Sequence, residues 1–364
     1  MAAELADRIG VGVFGASGYA GGELVRLLVR HPNVDIRVLT AERKAHSSYG
    51  AVFPHLASAK LPELVSINEV NWSDNDVDIL FCALPHGQTQ ELISGLFGKN
   101  GRGDVVAGHK DMKVIDLSSD FRLAPQLYAQ WYGKTHMAPA LQNEAVYGLT
   151  EFAKGDIEGA RLVSCPGCYP TATLLPLLPI LKNQLIEADG IIIDAKSGVS
   201  GAGRTVSETN LFCEINDGIH AYAVGGHRHA PEIETQLTQV AGENVTVSFT
   251  PHLVPMNRGI LSTIYVKLRG GTSADDLRRC LSDYYENETF VCVIPESGAL
   301  ATRHVRGSNY CLISVEKDRL TGRAIILSVI DNLVKGAAGQ AVHNMNLMSG
   351  LDETTGLEQK PLFP

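Results

Sequence analysis

The chain has 364 residues, 45% of them hydrophobic and 20% charged, and its formal net charge at pH 7 is −9. This length favours two domains, and the composition is that of an ordinary globular protein. No window approaches the roughly eighteen uninterrupted apolar residues of a membrane helix. The sequence also holds no dense block of Lys and Arg, so a nucleic-acid partner is disfavoured as well.

The cysteines and the N-terminus bear on the compartment. The sequence has 7 cysteines, too few for a disulfide scaffold of this length, and an odd number leaves at least one thiol unpaired. The opening "MAAELADRIG" has no basic segment followed by an apolar one, which argues against a secretory signal. We therefore expect a cytoplasmic protein with reduced thiols.

The first half of the chain alternates strand-like and helical patterns. The strand "IGVGVFG" (9–15) leads through a glycine-rich turn into the helical pattern "GGELVRLLVRHP", and a second strand, "VDIRVLT", ends at Thr40. This alternation predicts a parallel, doubly wound sheet of the Rossmann type. Further buried-strand runs occupy residues 77–85, 104–108, 113–118 and 160–164.

The second half of the chain changes pattern. "YPTATLLPLLPILKNQ" predicts a helix that begins near Pro170, and Pro176 and Pro179 are expected to kink or shorten it. Strand-like runs follow, with few helices between the last of them, which predicts a mixed or antiparallel sheet in an α+β domain. A final helix is expected to begin near Asn332.

The turn "GASGYAGG" carries a nucleotide-binding signal. Gly15, Gly18 and Gly21 fit the pattern G-x-x-G-x-x-G between a strand and a helix. Glycine lets the turn bend sharply and lets the backbone approach a pyrophosphate, while the helix N-terminus offers free N–H groups. Tight turns also use glycine, but the strand–turn–helix context predicts a dinucleotide site.

The residues after the second strand bear on which dinucleotide binds. An acidic residue there favours NAD, whereas a basic residue accommodates the 2′-phosphate of NADP. "LTAERKA" supplies Glu42 but also Arg43 and Lys44, and a solvated loop of mixed charge is the plain alternative. We favour NADP, with Thr40 and Arg43 as contacts.

The stretch "SCPGCYPTAT" (164–173) contains Cys165 and Cys168 and allows three interpretations. A redox pair can use this spacing at a helix start, but such motifs usually belong to a small thioredoxin-like unit, which nothing here resembles. A zinc site needs two further ligands, which His227 and His229 of "HRH" could supply, although no second C-x-x-C exists. The third interpretation is one working thiol.

Cys168 fits the interpretation of one working thiol. It lies just before a proline-initiated helix, whose dipole favours a thiolate and so lowers the pKa of the thiol, whereas Cys165 lies three residues back. A thiolate beside a nicotinamide suggests oxidation or reduction at the acyl level, because a thioester or thiohemiacetal holds the carbonyl while hydride moves. The plain alternative is a buried structural cysteine.

Several motifs of this chain belong together, and they run in order from about Ile9 to about Asn346. They are "GASGYAGGELVRLL", "ALPHG", "IDLSSDFRL", "YGLTE", "PGCYPTA", "KSGVSGAGR", "GGHRHAPEI", "PHLVPMNRGI" and "DNLVKGAAGQAV". With them the chain resembles the N-acetyl-γ-glutamyl-phosphate reductase family of arginine biosynthesis, and "PGCYPT" with "HRHAPEI" is the most specific part of the resemblance. The resemblance implies a fold similar to aspartate-semialdehyde dehydrogenase. The family often has Asn where this chain has Cys165.

The resemblance also implies roles for individual residues. Cys168 is the nucleophile and His227 the acid/base, since an imidazole has a pKa near neutral, while His229 shares that role or binds substrate. Arginine suits the carboxylate and phosphate of the substrate, with surface salt bridges as the plain alternative; the candidates are Arg122, Arg204, Arg228 and Arg258. The residues expected to bind cofactor are Gly15, Ser17, Gly18, Tyr19, Gly21, Thr40, Arg43, Pro85, Ser197, Gly198 and Asn332.

Taken together, these features predict an α/β enzyme. We expect an N-terminal Rossmann-type NADP-binding domain at residues 1–164 and a mixed α+β catalytic and oligomerisation domain at 165–331. A C-terminal helix and tail, 332–364, are expected to pack back on the first domain.

The resemblance implies that the enzyme uses NADPH to reduce N-acetyl-γ-glutamyl phosphate to the 5-semialdehyde and phosphate through a cysteine thioester. We expect no resident metal, no nucleic-acid or membrane partner, and a homo-oligomer, either a dimer or a tetramer. Two rival hypotheses are the related reductase of lysine biosynthesis, which acts on a carrier-linked aminoadipyl phosphate, and a non-catalytic NADP-binding regulator.

Overall fold

The computed structural model describes residues 8–72, 75–98, 111–295, 298 and 300–363. Within these residues the chain forms two compact units, one up to residue 166 together with 337–358, the other from 167 to 336 together with the segment after 358. The domain limits expected at residues 164 and 331 stay predictions. The strand expected at 104–108 lies outside the described residues.

The first unit is built on a parallel sheet, as the sequence predicts. In the described residues the strand order is β3-β2-β1-β4-β5-β7-β6, and every pairing is parallel. The order reverses between β1 and β4, which is where such sheets bind ligands at their carboxyl ends. The strands are β1 (Ile9–Phe14), β2 (Val34–Thr40), β3 (Leu64–Val65), β4 (Ile79–Cys82), β5 (Lys113–Asp116), β6 (Val146–Tyr147) and β7 (Leu162–Ser164).

Helices connect these strands and cover the sheet. Strands β1 and β4 hold only apolar residues and glycine, and Phe14, Leu80 and Val114 pack in one buried core with Ile93 of a helix. Continuous burial of this kind is typical of parallel sheets covered on both faces. The helices are α1 (Tyr19–Leu28), α2 (Tyr49–Val52), α3 (Thr89–Leu96), α4 (Pro125–Tyr132), α5 (Pro139–Gln142) and α6 (Thr150–Glu158).

The second unit carries a mixed sheet, again as the sequence predicts. In the described residues the order is β12-β13-β14-β11-β8-β10-β9, with parallel pairs only at β12–β13 and β8–β10. The helices are α7 (Cys168–Lys182), α8 (Phe212–Ile215), α9 (His229–Ala241) and α10 (Ala274–Tyr284). The strands are β8 (Ile191–Gly198), β9 (His220–Ala221), β10 (Val247–Val254), β11 (Ile260–Lys267), β12 (Val291–Val293), β13 (Cys311–Lys317) and β14 (Arg323–Ile330).

Helix α7 begins earlier than the sequence predicts. Gly167 has extended dihedrals (φ −65°, ψ 157°) and caps the helix, so Cys168 is its first residue. Pro170 lies in the first turn, where its missing N–H costs no helical hydrogen bond. The start of the helix is therefore set by the glycine rather than by the proline.

The two prolines inside α7 do not shorten the helix. It continues for 15 residues, past Pro176 and Pro179. A helical proline cannot donate to the carbonyl four residues earlier. For Pro179 that carbonyl belongs to Leu175, and it accepts a hydrogen bond from the Tyr285 hydroxyl at 2.6 Å instead. The helix is therefore not shortened, and at Pro179 a neighbouring side chain satisfies the backbone carbonyl that the proline leaves without a helical donor. The alternative part of the expectation, a kink at these prolines, stays a prediction.

The final helix begins with a wider turn. Val334–Ala338 forms a π-helical turn, in which the N–H of Gly336 donates to the carbonyl of Asp331 at 3.0 Å, and α11 (Gly339–Met348) follows. Helix α11 packs against α1, α6 and β5 of the first unit. Residues 359–363 group with the second unit, and the expected packing of 332–364 on the first domain stays a prediction. No helix in the described ranges is long and apolar enough to cross a membrane.

Candidate active site

The glycine turn after β1 has the geometry of a nucleotide loop. Gly15 has φ +77°, and a Cβ there would lie 2.3 Å from the carbonyl oxygen of Ala83. A Cβ on Gly21 would lie 2.4 Å from the carbonyl oxygen of Gly15, so both positions accept only glycine. In front of Gly18 the space is open, with that same oxygen 3.5 Å from a Cβ. A pyrophosphate can therefore approach the amino end of α1, where Ser17 is half-buried and Tyr19 exposed.

The end of β2 supports this turn. The Thr40 side chain is fully buried, and its Oγ1 accepts a hydrogen bond from the N–H of Gly15 at 3.3 Å. Arg43 is exposed in the loop that follows. Glu42 is engaged within the protein, because its Oε1 accepts from the N–H of Ile67 at 3.1 Å. Thr40 therefore shapes the turn, and Arg43 and Lys44 are both exposed in the loop that follows.

The loops after β4 and β5 are tied together by a buried carboxylate. Asp120 is fully buried, and it accepts hydrogen bonds from the N–H of Gly87 (2.7 Å), the N–H of Thr89 (3.0 Å) and the hydroxyl of Tyr128 (3.1 Å). His86 contacts the hydroxyl of Ser119 through Nδ1 at 2.9 Å. This network fixes the loop that contains the exposed Pro85, at the carboxyl edge of the sheet.

A second buried carboxylate lies at the end of β5. Burial, followed by the charge of Asp120, raises the pKa of Asp116 to about 7. Arg122 lies nearby and is 8% exposed; its Nε donates to the carbonyl of Cys165 at 2.8 Å and its Nη2 to that of Leu117 at 2.9 Å. Arg122 thus joins the ends of β5 and β7. Its contact with a substrate stays a prediction.

Cys165 is enclosed in the first unit. It follows β7, is 1% exposed, and receives a hydrogen bond from the Asn344 amide at 3.6 Å. Burial raises the pKa of its thiol to about 12. A buried, protonated thiol is a poor nucleophile. The environment of Cys165 is therefore that of a structural residue.

Cys168 has a different environment. It is partly exposed and occupies the first position of α7, where the helix dipole favours a thiolate. A Cβ on Gly336 would lie 2.8 Å from the Cβ of Cys168, so the turn Val334–Ala338 packs directly against the cysteine. The two thiols of the C-x-x-C motif thus differ in two ways. Cys165 is buried just after a strand, whereas Cys168 is partly exposed at the start of a helix.

His227 lies in a cage of aromatic rings. Its ring centroid is 5.7 Å from that of Tyr169, 5.5 Å from Tyr222, 5.3 Å from Phe249 and 4.8 Å from His229. Burial, followed by the charge of Arg228, lowers the pKa of His227 to about 4. Its Nδ1 accepts a hydrogen bond from the backbone N–H of His229 at 3.0 Å. The neutral ring therefore carries its proton on Nε2.

Two tyrosines link this cage to Cys168. The Tyr222 hydroxyl donates to that of Tyr169 at 3.0 Å, and Tyr169 follows Cys168 in the chain. Burial raises the pKa of Tyr222 to about 12, and the charge of Cys168 adds to the rise. The sequence analysis quoted Tyr169 in a motif without assigning it a role and missed Tyr222, because only the fold brings these rings beside the histidine.

The loop after β8 is held by Asn332. Its Oδ1 accepts from the N–H of Gly259 at 2.8 Å, and its Nδ2 donates to the hydroxyl of Ser200 at 3.0 Å. Ser197 is 2% exposed and donates to the carbonyl of Gly198 at 3.0 Å. Asn332 and Ser197 are therefore supports of this loop in the structure, and their contact with cofactor stays a prediction.

The remaining candidate arginines lie in different settings. Arg204 and Arg228 are exposed. Arg258 is half-buried, with Nη1 3.6 Å from the fully buried carboxylate of Asp331. Arg258 is therefore oriented by an ion pair, as a residue that presents its guanidinium to an anion needs to be.

Glu232 is a residue of this region whose importance the sequence analysis did not assign. It is 1% exposed in the first turn of α9, and its Oε1 accepts from the N–H of Gly167 at 2.8 Å. The only available signal was an acidic residue within the motif "HRHAPEI". Within the described residues, no group of three or more His, Cys, Asp and Glu is arranged to hold a metal ion.

The fold, the glycine turn after β1 and the surroundings of Cys168 define a nicotinamide-dependent oxidoreductase of the semialdehyde dehydrogenase class. A family model described as "Semialdehyde dehydrogenase, NAD binding domain" matches residues 10–160, and one described as "Semialdehyde dehydrogenase, dimerisation domain" matches residues 168–332. Within this class, the chain belongs to the N-acetyl-γ-glutamyl-phosphate reductase family.

Relatives that match over the full length of the chain show that it belongs to this family. The chain is 55% identical over 361 residues to the N-acetyl-γ-glutamyl-phosphate reductase of Rhodospirillum rubrum, covering 99% of this chain and 100% of the relative. It is 53% identical over 359 residues to that of Afipia carboxidovorans, covering 98% and 99%. Among solved structures, aspartate semialdehyde dehydrogenase II of Vibrio cholerae, complexed with ASA, matches with a TM-score of 0.68 at 19% identity, covering 94% of this chain and 98% of that one. That likeness shows the fold.

Proposed function

We propose that the chain catalyses the NADPH-dependent reduction of N-acetyl-γ-glutamyl phosphate to N-acetylglutamate 5-semialdehyde and phosphate, in arginine biosynthesis. The observation that carries this proposal is the position of Cys168, partly exposed at the first residue of α7 and one residue from the ring that contacts His227. The names of the full-length relatives support the substrate. They favour it over the carrier-linked substrate of lysine biosynthesis.

The proposed chemistry passes through Cys168. Its thiolate attacks the γ-carbonyl carbon, a C–S bond forms, and the C–O bond to phosphate breaks, leaving a thioester. When bound, the nicotinamide cofactor supplies a hydride to the thioester carbon. The carbonyl electron pair moves to oxygen, giving a thiohemiacetal alkoxide on Cys168. That alkoxide collapses, the C–S bond breaks, and aldehyde and thiolate are released.

His227 is proposed to stabilise the carbonyl oxygen both when the thiolate attacks and when the thioester is reduced. Negative charge develops on that oxygen twice, and a donor placed there stabilises each transition state. The Nε2–H of the neutral ring is such a donor, because Nδ1 is already occupied by the backbone of His229. The collapse of the alkoxide restores the thiolate without a proton on the carbonyl oxygen. We therefore assign His227 to the acid/base position of the reaction, acting chiefly through its Nε2–H, and His229 to substrate binding.

NADP is the proposed cofactor. Arg43 is exposed beside the glycine turn, and Glu42, which could otherwise hydrogen-bond a ribose hydroxyl of NAD, is engaged by the backbone of Ile67. Gly15, Ser17, Gly18, Tyr19 and Gly21 are proposed to hold the pyrophosphate, and Thr40 and Arg43 are the proposed contacts that favour NADP. Pro85, Ser197, Gly198 and Asn332 stay proposed cofactor contacts. Arg122, Arg204 and Arg258 are proposed to bind the anionic groups of the substrate. The proposed compartment is the cytoplasm.

The second unit is also proposed to form a homo-oligomer. Ile192, Tyr265 and Ile325 are cross-strand neighbours on β8, β11 and β14. All three are partly exposed, Ile192 to 38%, while the alternate residues are buried on the face that α7 covers. An apolar row of this kind suits a second copy of the chain, in keeping with the dimerisation domain that matches here. Sedimentation of Ile325→Glu, expected to be monomeric if this face is the interface, tests the assignment.

The reverse reaction tests the proposed function most simply. The purified protein is given N-acetylglutamate semialdehyde, NADP and phosphate, and formation of NADPH is followed by absorbance. We expect activity that requires all three components and is lost in Cys168→Ser. Normal cofactor binding without any turnover in the wild type would instead favour the non-catalytic NADP-binding protein.

A further inference from the structure

Glu232 is a buried carboxylate that contacts the backbone next to the proposed nucleophile. It is 1% exposed, and its Oε1 accepts a hydrogen bond from the N–H of Gly167 at 2.8 Å. Gly167 caps α7, and Cys168 is the first residue of that helix. Glu232 therefore holds the peptide unit that leads into the cysteine, across 65 residues of sequence.

The position of Glu232 offsets the free-energy cost of burying its carboxylate. It lies in the first turn of α9, whose dipole favours a negative charge, and it accepts from the residue that caps the amino end of α7. A charge-assisted hydrogen bond to a backbone N–H is stronger than a neutral one. The carboxylate thus joins the amino ends of two helices that pack against each other.

Those two helices carry the residues of the proposed chemistry. Helix α7 begins with Cys168, and α9 begins with His229, whose backbone N–H orients the ring of His227. On its other side, the Cβ of Cys168 is confined by Gly336. The bond from Gly167 to Glu232 is therefore a direct polar link between the turn that holds Cys168 and the first turn of α9.

We propose that Glu232 is a positioning residue that aligns Cys168 with the histidine turn through its hydrogen bond to Gly167. This proposal rests on the proposed function, since it assigns the bond a role in turnover. Errors of about 1 Å in the placement of reacting groups can cost about a hundredfold in rate. The carboxylate acts here as a hydrogen-bond acceptor, so an uncharged acceptor of the same shape can replace it.

Three variants test the proposal. Glu232→Ala removes the acceptor and is expected to lower kcat about 10- to 100-fold, with KM changed by less than about threefold. Glu232→Gln keeps an oxygen at the same position and is expected to retain most of the wild-type kcat. Glu234→Ala is the matched control, because Glu234 lies on the same helix and accepts from the N–H of Val247 at 3.0 Å. It is expected to lower stability but not kcat.

The outcomes separate the possible roles. An unchanged kcat in Glu232→Ala would make the bond merely structural, and a Gln variant as defective as Ala would mean that the charge matters rather than the bond; either result overturns the proposal. If Glu232→Ala does not fold, Glu232→Asp, one methylene shorter, takes its place. Hydrogen exchange at the Gly167 amide, expected to accelerate only in the Ala variant, tests the bond without substrate. An inactive wild type would overturn the proposed function instead, while the exchange result would still report on the bond.

Discussion

The backbone N–H of His229 donates to Nδ1 of His227 at 3.0 Å, and this bond fixes which nitrogen of His227 carries the proton. With its pKa lowered to about 4 by burial and by the charge of Arg228, the ring is neutral at physiological pH. The proposed role of the ring is therefore a hydrogen bond donated from Nε2. That role leads to distinct expectations for substitutions of the two histidines.

His227→Asn is expected to lower turnover by about a hundred- to a thousandfold, the usual cost of removing one hydrogen-bond donor to a developing oxyanion. Glutamine can place an N–H near the position of Nε2, so His227→Gln is expected to be more active than His227→Asn. His229→Asn is expected to raise KM with a smaller loss of kcat. Steady-state kinetics of the three variants decide the matter, and a larger kcat loss in His229→Asn would reverse the assignment.

The pH dependence of turnover should also reflect the neutral ring of His227. Because the pKa of His227 is lowered, its active neutral form persists as pH falls from 8 to 5, and activity that depends on it is lost only near pH 4. The kcat profile of His227→Gln is therefore expected to match the shape of the wild-type profile between pH 5 and 8. A wild-type limb near pH 6.5 that disappears in this variant would contradict the assignment.

Arg43 sets the expected preference for NADPH. Arg43→Ala is expected to weaken NADPH binding about ten- to a hundredfold, the loss of one charge-assisted contact, and to leave NADH nearly unaffected. Lys44→Ala is the control, since Lys44 is exposed in the same loop. Fluorescence titration with both cofactors measures the effect. Equal losses for NADPH and NADH would remove Arg43 from the 2′-phosphate site.

Asp116 should make stability depend on pH. Its pKa in the folded state is about 7, well above its ordinary value of 3.8, so the folded protein holds a proton there that the unfolded chain releases. Stability contributed by this group is therefore full below about pH 4 and is lost as pH rises towards 7. Asp116→Asn should flatten the dependence of Tm on pH between 4 and 7. An exposed control, Asp156→Asn, should not, and an unchanged slope in Asp116→Asn would contradict the assignment.

Much of the fold follows from local sequence. The first strand, the glycine turn and the first helix are adjacent in the chain, and their residue types alone predict the parallel sheet and the nucleotide turn. Helix α10 was not predicted, although Ser273 and Asp276 form a capping box at its start. Its apolar residues are few, and the strand-like runs on either side obscured the helical spacing.

The site was less accessible from sequence, because it depends on packing between distant segments. The sequence predicts Cys165 just after a strand and Cys168 beside the start of a helix, but it does not reveal how differently the two thiols are buried. The bond from Glu232 to Gly167 exists only once two helices have packed. Likewise, Asn332 supports the Ser200 loop across 132 residues of sequence.

The two cysteines give the sharpest functional contrast. Cys168→Ser is expected to abolish reduction while NADPH still binds, because a serine hydroxyl has no comparable anionic population near neutral pH. Cys165→Ser is expected to keep most of the activity, since the Cys165 thiol is buried with its pKa raised to about 12. Activity under reducing conditions and NADPH titration of each variant provide the measurement. Loss of activity in both variants, with a Cys165–Cys168 disulfide forming during turnover, would make the pair a redox centre.

The central claim is that Cys168 alone carries the acyl group. Rapid quenching of the Cys165→Ser variant with N-acetyl-γ-glutamyl phosphate in the absence of NADPH, followed by peptide mass spectrometry, tests it directly. The account predicts an N-acetylglutamyl thioester on the peptide that contains Cys168, and its disappearance when NADPH is added. Acylation of any other residue, or turnover with no acyl adduct on Cys168 at any time, would contradict it.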